Sequence, residues 1–224
     1  MATDSYDQYV RTEWSLFVND PARAERVKEI FENLKVERVL DVGCGAGQEL
    51  LPFALSAFCV GTDVAAGVGV VGRELFSDYE GARVVFIRAG AESLPFMSES
   101  FDVVICRLAL PYTDNSRSLA EIARVLRPGG ALMLKIHHMR YYLTKLRAGL
   151  FSADIPSMIH AARVLLAGTI YHATGKQIRW KIISNETFQT RWLLQRELRR
   201  VGLSVQRELD QSELTPFFLI TRNA

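Results

Sequence analysis

Val39-Leu40-Asp41-Val42-Gly43-Cys44-Gly45-Ala46-Gly47 runs a short apolar strand directly into three glycines at alternate positions. Such a stretch reads as a strand buried on both faces, after which the chain turns sharply. Glycine permits the turn and lets a ligand approach the backbone, because no Cβ intervenes. Outward from it, apolar runs rich in Val, Ile, Leu and Phe occur at 38–42, 58–62, 84–88, 103–106 and 131–136. Helical stretches lie between or before them at 22–33, 49–57, 65–76 and 116–126, the last with Leu119, Ile122, Ala123 and Leu126 at helical spacing. This alternation predicts an α/β fold, doubly wound around a mostly parallel sheet. Arg127-Pro128-Gly129-Gly130 ends the fourth of these helices and turns the chain into the fifth strand.

Beyond 136 the pattern changes. Residues 137–183 hold apolar, Tyr-containing helical stretches without strand alternation and are read as a helical lid inserted over the carboxyl edge of the sheet. Ser184 or Asn185 then caps a helix over 186–201, Gly202 ends it, and 203–209 with 216–221 close the sheet as a strand pair. The expected organisation is one domain over 1–224: a helical segment 1–35, a core 36–136, the lid 137–183 and a closing unit 184–224. A length of 224 residues and 49% apolar content suit one large core.

Composition narrows the function. Lys and Arg total 27 against 25 for Asp and Glu, so the net charge of +2 gives no case for a polyanion, and no nucleic-acid partner is predicted. Three cysteines, Cys44, Cys59 and Cys106, lack CxxC spacing, which argues against a disulfide framework and a structural zinc site and suits a reducing compartment. The polar, acidic segment from Thr3 to Asp7 has no signal-peptide pattern, and Pro156, His160, Arg163 and His172 interrupt the apolar stretch 155–173. A cytoplasmic chain with no transmembrane segment is expected.

Four ordered motifs carry the chemistry. In the first, the spacing is GxGxG where a dinucleotide-binding loop has GxGxxG, and Glu49 follows where a pyrophosphate would sit. In the second, Asp63 ends the second strand above the same crevice, where a carboxylate can accept hydrogen bonds from both hydroxyls of a ribose. The third is Ala89-Gly90-Ala91-Glu92-Ser93-Leu94-Pro95-Phe96 after the third strand, followed by Phe101-Asp102 leading the fourth. The fourth is Arg124-Val125-Leu126-Arg127-Pro128-Gly129-Gly130. In this combination, over roughly 36–136, the chain resembles the class I S-adenosylmethionine-dependent methyltransferases, especially the subgroup with the ubiquinone and menaquinone biosynthesis enzymes (methyltransferase domain type 11).

The resemblance implies a Rossmann-like seven-stranded sheet, mostly parallel with an antiparallel closing strand. It also implies S-adenosylmethionine as cofactor, with S-adenosylhomocysteine as product. This cofactor carries a sulfonium, an ammonium and one carboxylate and no phosphate, so an acidic surround from Asp41 and Glu49 suits it. The cofactor-binding set carried over is Asp41, Gly43, Cys44, Gly45, Gly47, Asp63, Val64, Gly90, Ala91, Glu92 and Cys106. Val64 would pack on the adenine face, while Cys106, at the end of an apolar strand, also reads as a buried core thiol. One departure stands out: Gly90 occupies the position where the family usually has an Asp that reaches the adenine amino group. Loss of one such hydrogen bond costs roughly 0.5–1.5 kcal/mol of cofactor binding.

The acceptor side is less legible. Cys106-Arg107-Leu108-Ala109-Leu110-Pro111-Tyr112 replaces the Asn/Asp-Pro-Pro-aromatic run of enzymes that methylate nucleobase amines, and Cys106 lacks the preceding Pro of the cytosine C5 enzymes. Asp114-Asn115 alone reads as a turn or helix cap, so no metal is predicted. His137 and His138, at the end of the fifth strand, are the candidate general bases, with Tyr141 and Tyr142 following. Tyr6, Tyr9, Trp14 and Phe17 either close over the pocket or form helix core. The expected activity is methyl transfer to a small, partly apolar molecule, with an oxygen or carbon acceptor favoured over nitrogen. Two other readings stay open: a non-catalytic cofactor-binding or scaffolding protein, which Gly90 keeps alive, and an NAD(P)-dependent oxidoreductase, which the loop spacing disfavours.

Overall fold

Side-chain alternation along the strands accounts for the two faces of the sheet. The computed structural model describes residues 2–32, 34–178, 186–210 and 212–223. Its strands are β1 (Arg38–Val42), β2 (Phe58–Asp63), β3 (Val84–Arg88), β4 (Phe101–Arg107), β5 (Leu126–Lys135), β6 (Leu203–Glu208) and β7 (Phe217–Arg222). They form one sheet in the order β3-β2-β1-β4-β5-β7-β6. The first five are mutually parallel, and β7 runs antiparallel to both β5 and β6. This is the doubly wound, seven-stranded arrangement expected from the sequence.

The helices are α1 (Ala2–Val18), α2 (Pro21–Ile30), α3 (Val70–Phe76), α4 (Asn115–Val125), α5 (Met139–Ser152), α6 (Ile155–Thr174) and α7 (Arg191–Arg200). Leu40 and Val42 of β1, Val104 of β4 and Leu132 and Leu134 of β5 bury against Leu119 and Ile122 of α4 and Leu194 and Leu198 of α7. The alternate residues Val39, Val103, Ile105 and Met133 bury on the opposite face with Val10 and Trp14 of α1, Val27 of α2 and Phe76 of α3. Period-two alternation thus supplies two cores from one set of strands. The third cluster, Tyr142, Ala161, Val164 and Phe188, holds α5 to α6.

Three expected helices differ from what forms. The helix expected over 49–57 is a short 3-10 turn at Gln48–Leu50 followed by further turns, with Leu50, Leu51, Phe53 and Ala54 each donating to the carbonyl three residues back. Pro52 is the cause, since it lacks the N–H an α-helix would direct to Gln48 and its ring would clash with that carbonyl. The helix expected over 65–76 begins only at Val70, because Gly69 adopts φ +75° and leaves its missing Cβ against the ring of Phe86. The helix expected over 186–201 begins at Arg191, where Thr190 caps it by accepting from the Leu193 amide at 3.3 Å. Glu186 to Gln189 run across the carboxyl edge instead, with the Thr187 amide donating to Pro111 O and that of Gln189 to His137 O. The proposed caps Ser184 and Asn185 lie outside the described residues. β5 also starts earlier than expected, at Leu126, and a register shift between Phe101 and Val103 absorbs the 128–130 turn.

Asp102 fastens the amino edge of the sheet. Its Oδ2 accepts the amides of Glu37 and Arg38 at 2.9 and 2.8 Å, and its Oδ1 accepts Arg127 Nη1 at 2.6 Å. Removing a buried carboxylate that satisfies two backbone donors and a guanidinium leaves all three unmatched. Asp102→Ala is therefore expected to lower the unfolding free energy by about 3 kcal/mol, read from urea denaturation, with Asp102→Asn losing less.

Candidate functional site

The strand order reverses between β1 and β4, so the chain leaves these neighbouring strands in opposite directions and opens a crevice at their carboxyl ends. The Gly-rich loop folds back onto β2 there: the amides of Gly43 and Cys44 both donate to Thr62 O, at 2.7 and 2.9 Å. Gly43, Gly45 and Gly47 adopt φ of +74°, +55° and +83°, conformations that disfavour any side chain. Their neighbours add a packing reason. A Cβ on Gly43 would collide with Ala109, and one on Gly47 would stand 2.9 Å from Phe86 Cε1.

Asp63 ties this loop to β2. Its Oδ2 accepts the Gly45 amide at 3.1 Å and its Oδ1 the Ala65 amide at 3.0 Å, leaving each oxygen a second lone pair. The crevice holds a cleft of 640 Å³ whose walls include Val42, Gly43, Asp63, Val64, Ala89, Ala91, Glu92, Tyr112, His137 and Tyr141, with Tyr9 of α1 alongside. A smaller recess of 110 Å³ adjoins it, sharing Tyr9, Gly43, Asp63, Arg107 and Leu108 and adding Asp41, Cys44, Gly45, Gln48 and Glu49. Asp41 Oδ2 and Gln48 Oε1 are buried there with no hydrogen-bond partner among the described residues. Burial, then the charges of Glu49 and Asp63, hold the Asp41 carboxyl well above the usual carboxylate range. A cation entering the recess would relieve both orphaned acceptors.

Glu49 is clamped by two guanidiniums, Arg23 of α2 and Arg107 of β4, the latter at 2.6 Å. Burial still pushes its carboxyl up to about 7, against the pull of Arg23 and Lys135. Next along the chain, Leu108 takes φ +59°, a left-handed conformation rare for a side chain of this kind, where β4 passes into the crevice wall. Neither feature was legible from the sequence, since no motif marks a positive φ at a leucine.

The 91–96 loop is fixed from α4. Arg124 donates to Leu94 O at 3.0 Å and Phe96 O at 2.7 Å, while Glu121 accepts the Leu94 amide at 2.8 Å and pairs with Arg124. Glu92 Oε1 accepts the Asp114 amide at 2.9 Å and so braces this loop against the one after β4. A Cβ on Gly90 would stand 3.1 Å from Glu92 Oε2 and 3.8 Å from Val64 Cγ1. The role of Glu121 was missed; its only signal was the i,i+3 spacing to Arg124.

Other expected site residues separate. Cys44 faces the recess, but Cys106 is buried within the α4–α7 core and lines neither cavity. Trp14 and Phe17 are core, whereas Tyr6 and Tyr9 line the recess. His138 caps α5, its Nδ1 facing the Arg140 amide, and is not part of the cleft wall.

His137 lines the cleft, stacked on Tyr141 with ring centroids 4.3 Å apart. Behind it runs a chain of hydrogen bonds whose directions fix one another. Tyr142 Oη donates to Glu186 Oε1 at 2.5 Å, so its oxygen is the acceptor for His137 Nδ1 at 3.1 Å. On the far side Arg163 Nη2 lies 3.3 Å from His160 Nδ1, and His160 Nε2 lies 3.1 Å from Glu186 Oε2. An arginine only donates, so His160 carries its proton on Nε2 and gives it to Glu186. The consequence is a His137 protonated on Nδ1, with Nε2 left as a lone-pair base. Burial, then the charges of Lys145 and Lys135, push its pKa down to about 4. Burial and Glu186 likewise push the phenols of Tyr112 and Tyr142 up.

Fold and crevice together define the class I S-adenosylmethionine-dependent methyltransferase architecture, and residues 40–134 match the family model described as a methyltransferase domain. Over 102 residues the chain is 38% identical to the ubiquinone/menaquinone biosynthesis C-methyltransferase UbiE of Hahella chejuensis, covering 43% of this chain and 41% of that one. It is 36% identical over 103 residues to the uncharacterized methyltransferase YcgJ of Bacillus subtilis, covering 45% and 41%. The chain thus spans about two-fifths of the length of these curated relatives. Among solved structures, the magnesium protoporphyrin IX methyltransferase of Synechocystis PCC 6803, with bound S-adenosylhomocysteine, shares the fold at a TM-score of 0.60, with 17% identity over 97% of this chain and 83% of that one. The matched segment, residues 40–134, is similar to the methyltransferase domain of UbiE-type enzymes, and S-adenosylmethionine is the cofactor of such a domain. The orphaned acceptors of Asp41 and Gln48 fit it, since its amino group is cationic.

Opposite pKa shifts give a pH signature. Glu49 titrates near 7 in the folded chain and near 4.5 as a free group, so its contribution to stability is full at low pH and is lost as pH rises through 7. His137 titrates near 4 against 6.5, so its contribution is full above 6.5 and is lost as pH falls through 4. Between about 4.5 and 6.5 the two offset each other. Relative to the unsubstituted chain, urea titrations across this window are expected to show the slope of stability against pH shifted upward in Glu49→Gln and downward in His137→Phe, since Asp41 keeps its own contribution in both.

Proposed function

We propose that this chain methylates a small, partly apolar acceptor at oxygen or carbon, with nitrogen less favoured, and that His137 takes the acceptor's proton. The observation that carries the proposal is the hydrogen-bond chain ending at His137, which leaves this residue of the cleft wall a neutral imidazole with the lone pair on Nε2. When bound, S-adenosylmethionine supplies an electrophilic methyl group on a sulfonium. No covalent catalyst is then needed, and the protein's tasks are to align the acceptor, exclude water and receive a proton.

Asp41 and Gln48 would accept from the cofactor's amino group, with Cys44 and the backbone of Gly43, Gly45 and Gly47 along its length. The remaining lone pairs of Asp63 would take the ribose hydroxyls, and Val64 and Ala91 would flank the adenine beside Gly90 and Glu92. Cys106 would support this wall from within the core. Tyr9, Tyr112 and Tyr141 would give the acceptor aromatic walls and keep water from His137. We read α5 and α6 as a lid within a single domain over 1–224. A cytoplasmic setting suits the three free cysteines.

The test on the cofactor side is calorimetry with S-adenosylmethionine, S-adenosylhomocysteine and NAD. Binding of both sulfur ligands, weakened about tenfold or more by Asp63→Ala, is the expected outcome. An unchanged affinity would remove Asp63 from the site, and binding of NAD alone would overturn the reading. The base is tested independently of the acceptor by nitrogen-15 NMR of the imidazoles at neutral pH. His137 is expected as the neutral Nδ1–H tautomer, with Tyr142→Phe releasing that preference, and a proton found on Nε2 would exclude it as the base. With an active acceptor in hand, His137→Gln is expected to lower kcat by about a hundredfold or more.

A further inference from the structure

The α5–α6 hairpin ends in an apolar tip. Leu150 and Phe151, in the last turn of α5, are 67% and 91% exposed, and Ile155 and Ile159, in the first turns of α6, are 63% and 64% exposed. These four side chains surround a tight connection in which Ala153 adopts φ +53° and Asp154 caps α6 by accepting the Ser157 amide. The tip cannot fold them inward. Gly149 packs so closely on α6 that a Cβ there would stand 2.7 Å from Met158 Cγ, and Ala161 and Val164 already fill the space against Tyr142. Hydrophobic side chains clustered at a protruding end, away from the cores, mark an interaction surface.

Charge identifies what covers it. The two helices carry Arg140, Lys145, Arg147 and Arg163 against the single acid Asp154. Arg140 is matched by Glu213, and Lys145 also lies over the Tyr141 ring at 4.8 Å. Arg147 lies four residues and Lys145 six before Phe151, placing their backbone about 6 and 9 Å above the tip, and Arg163 is about 12 Å along α6 from Ile155. Apolar side chains at the end and basic ones at this height match the boundary between acyl chains and anionic headgroups, where interfacial helices bury their apolar face by about 5–10 Å. A second copy is disfavoured, because tip-to-tip contact would bring Lys145 and Arg147 of each copy together.

We propose that the α5–α6 tip docks this chain on an anionic membrane surface, with Leu150, Phe151, Ile155 and Ile159 inserted at the headgroup boundary and Lys145 and Arg147 on lipid phosphates. No spanning segment is involved, since no described helix is long and apolar enough to cross a membrane. The docking does not depend on which acceptor is methylated.

The test is co-sedimentation of the full chain with vesicles of phosphatidylcholine alone or of equal parts phosphatidylcholine and phosphatidylglycerol. Binding is expected to the anionic vesicles and to weaken with added salt. The pair Leu150→Ser and Phe151→Ser is expected to lower it about tenfold or more, as is the pair Lys145→Glu and Arg147→Glu. The tip side chains are solvent-exposed, so thermal melting is expected to be unchanged by the serine pair. A Phe151→Trp variant should be quenched by brominated lipid, which reports insertion directly. Absence of binding, binding that the tip variants leave unchanged, or an unquenched tryptophan would overturn the proposal. So would a dimer in solution that the serine pair abolishes, which would make the tip a contact between copies.

Discussion

A parallel sheet buried on both faces must stop somewhere, and the groups at its carboxyl edge must then find partners outside the ladder. Between β1 and β4 the chain departs to opposite sides, so no connection crosses that seam and the edge stays open. The Gly-rich loop, Asp63, the left-handed Leu108 and the Glu49 clamp all lie along this opening. They are responses to one constraint. The strand ends must turn away at once, and the polar atoms uncovered there must be matched by one another or by a ligand.

How they are matched differs between the two ends of the crevice. On the recess side four acidic side chains, Glu13, Asp41, Glu49 and Asp63, line the wall with Arg107, and the guanidiniums of Arg23 and Arg107 are both taken up by Glu49. Asp41 Oδ2 is left without a hydrogen-bond partner among the described residues, a costly condition that suits a cationic ligand. On the opposite side Tyr9, Tyr112 and Tyr141 make the wall aromatic, and Glu186 is withdrawn behind Tyr142 and His160. The sequence brings these residues from distant places: His137 follows β5, Tyr142 opens α5, His160 lies in α6 and Glu186 begins the stretch before α7. Their alignment depends on Glu186 to Gln189 running extended across the edge, where a helix was expected.

What could be read from the sequence follows from the range of the forces involved. β1 and β3 match the expected strands residue for residue because alternation and length are local signals, and the parallel pairing of the first five strands follows from the βαβ rhythm. The helix expected over 49–57 failed on a local signal that was present, Pro52, and the one over 186–201 failed on tertiary pairing that no local signal carries. At the site, the glycines and Asp63 stood out because a turn beside a ligand restricts residue type. Glu121, Arg124, Tyr142 and Glu186 act by holding other groups, and such work is done by common residue types whose partners lie far away in the chain. His138 shows the reverse case: adjacent to His137 and identical in type, it faces a helix start because side chains alternate as the chain leaves β5.

The most direct measurement is a crystal structure of the chain with S-adenosylhomocysteine. The expected result places the ligand along the seam between β1 and β4, its amino group within hydrogen-bonding distance of Asp41 Oδ2, its ribose on Asp63 and its sulfur open toward the face of His137. A ligand bound elsewhere, or one in the crevice that leaves Asp41 and Asp63 untouched, would contradict the account.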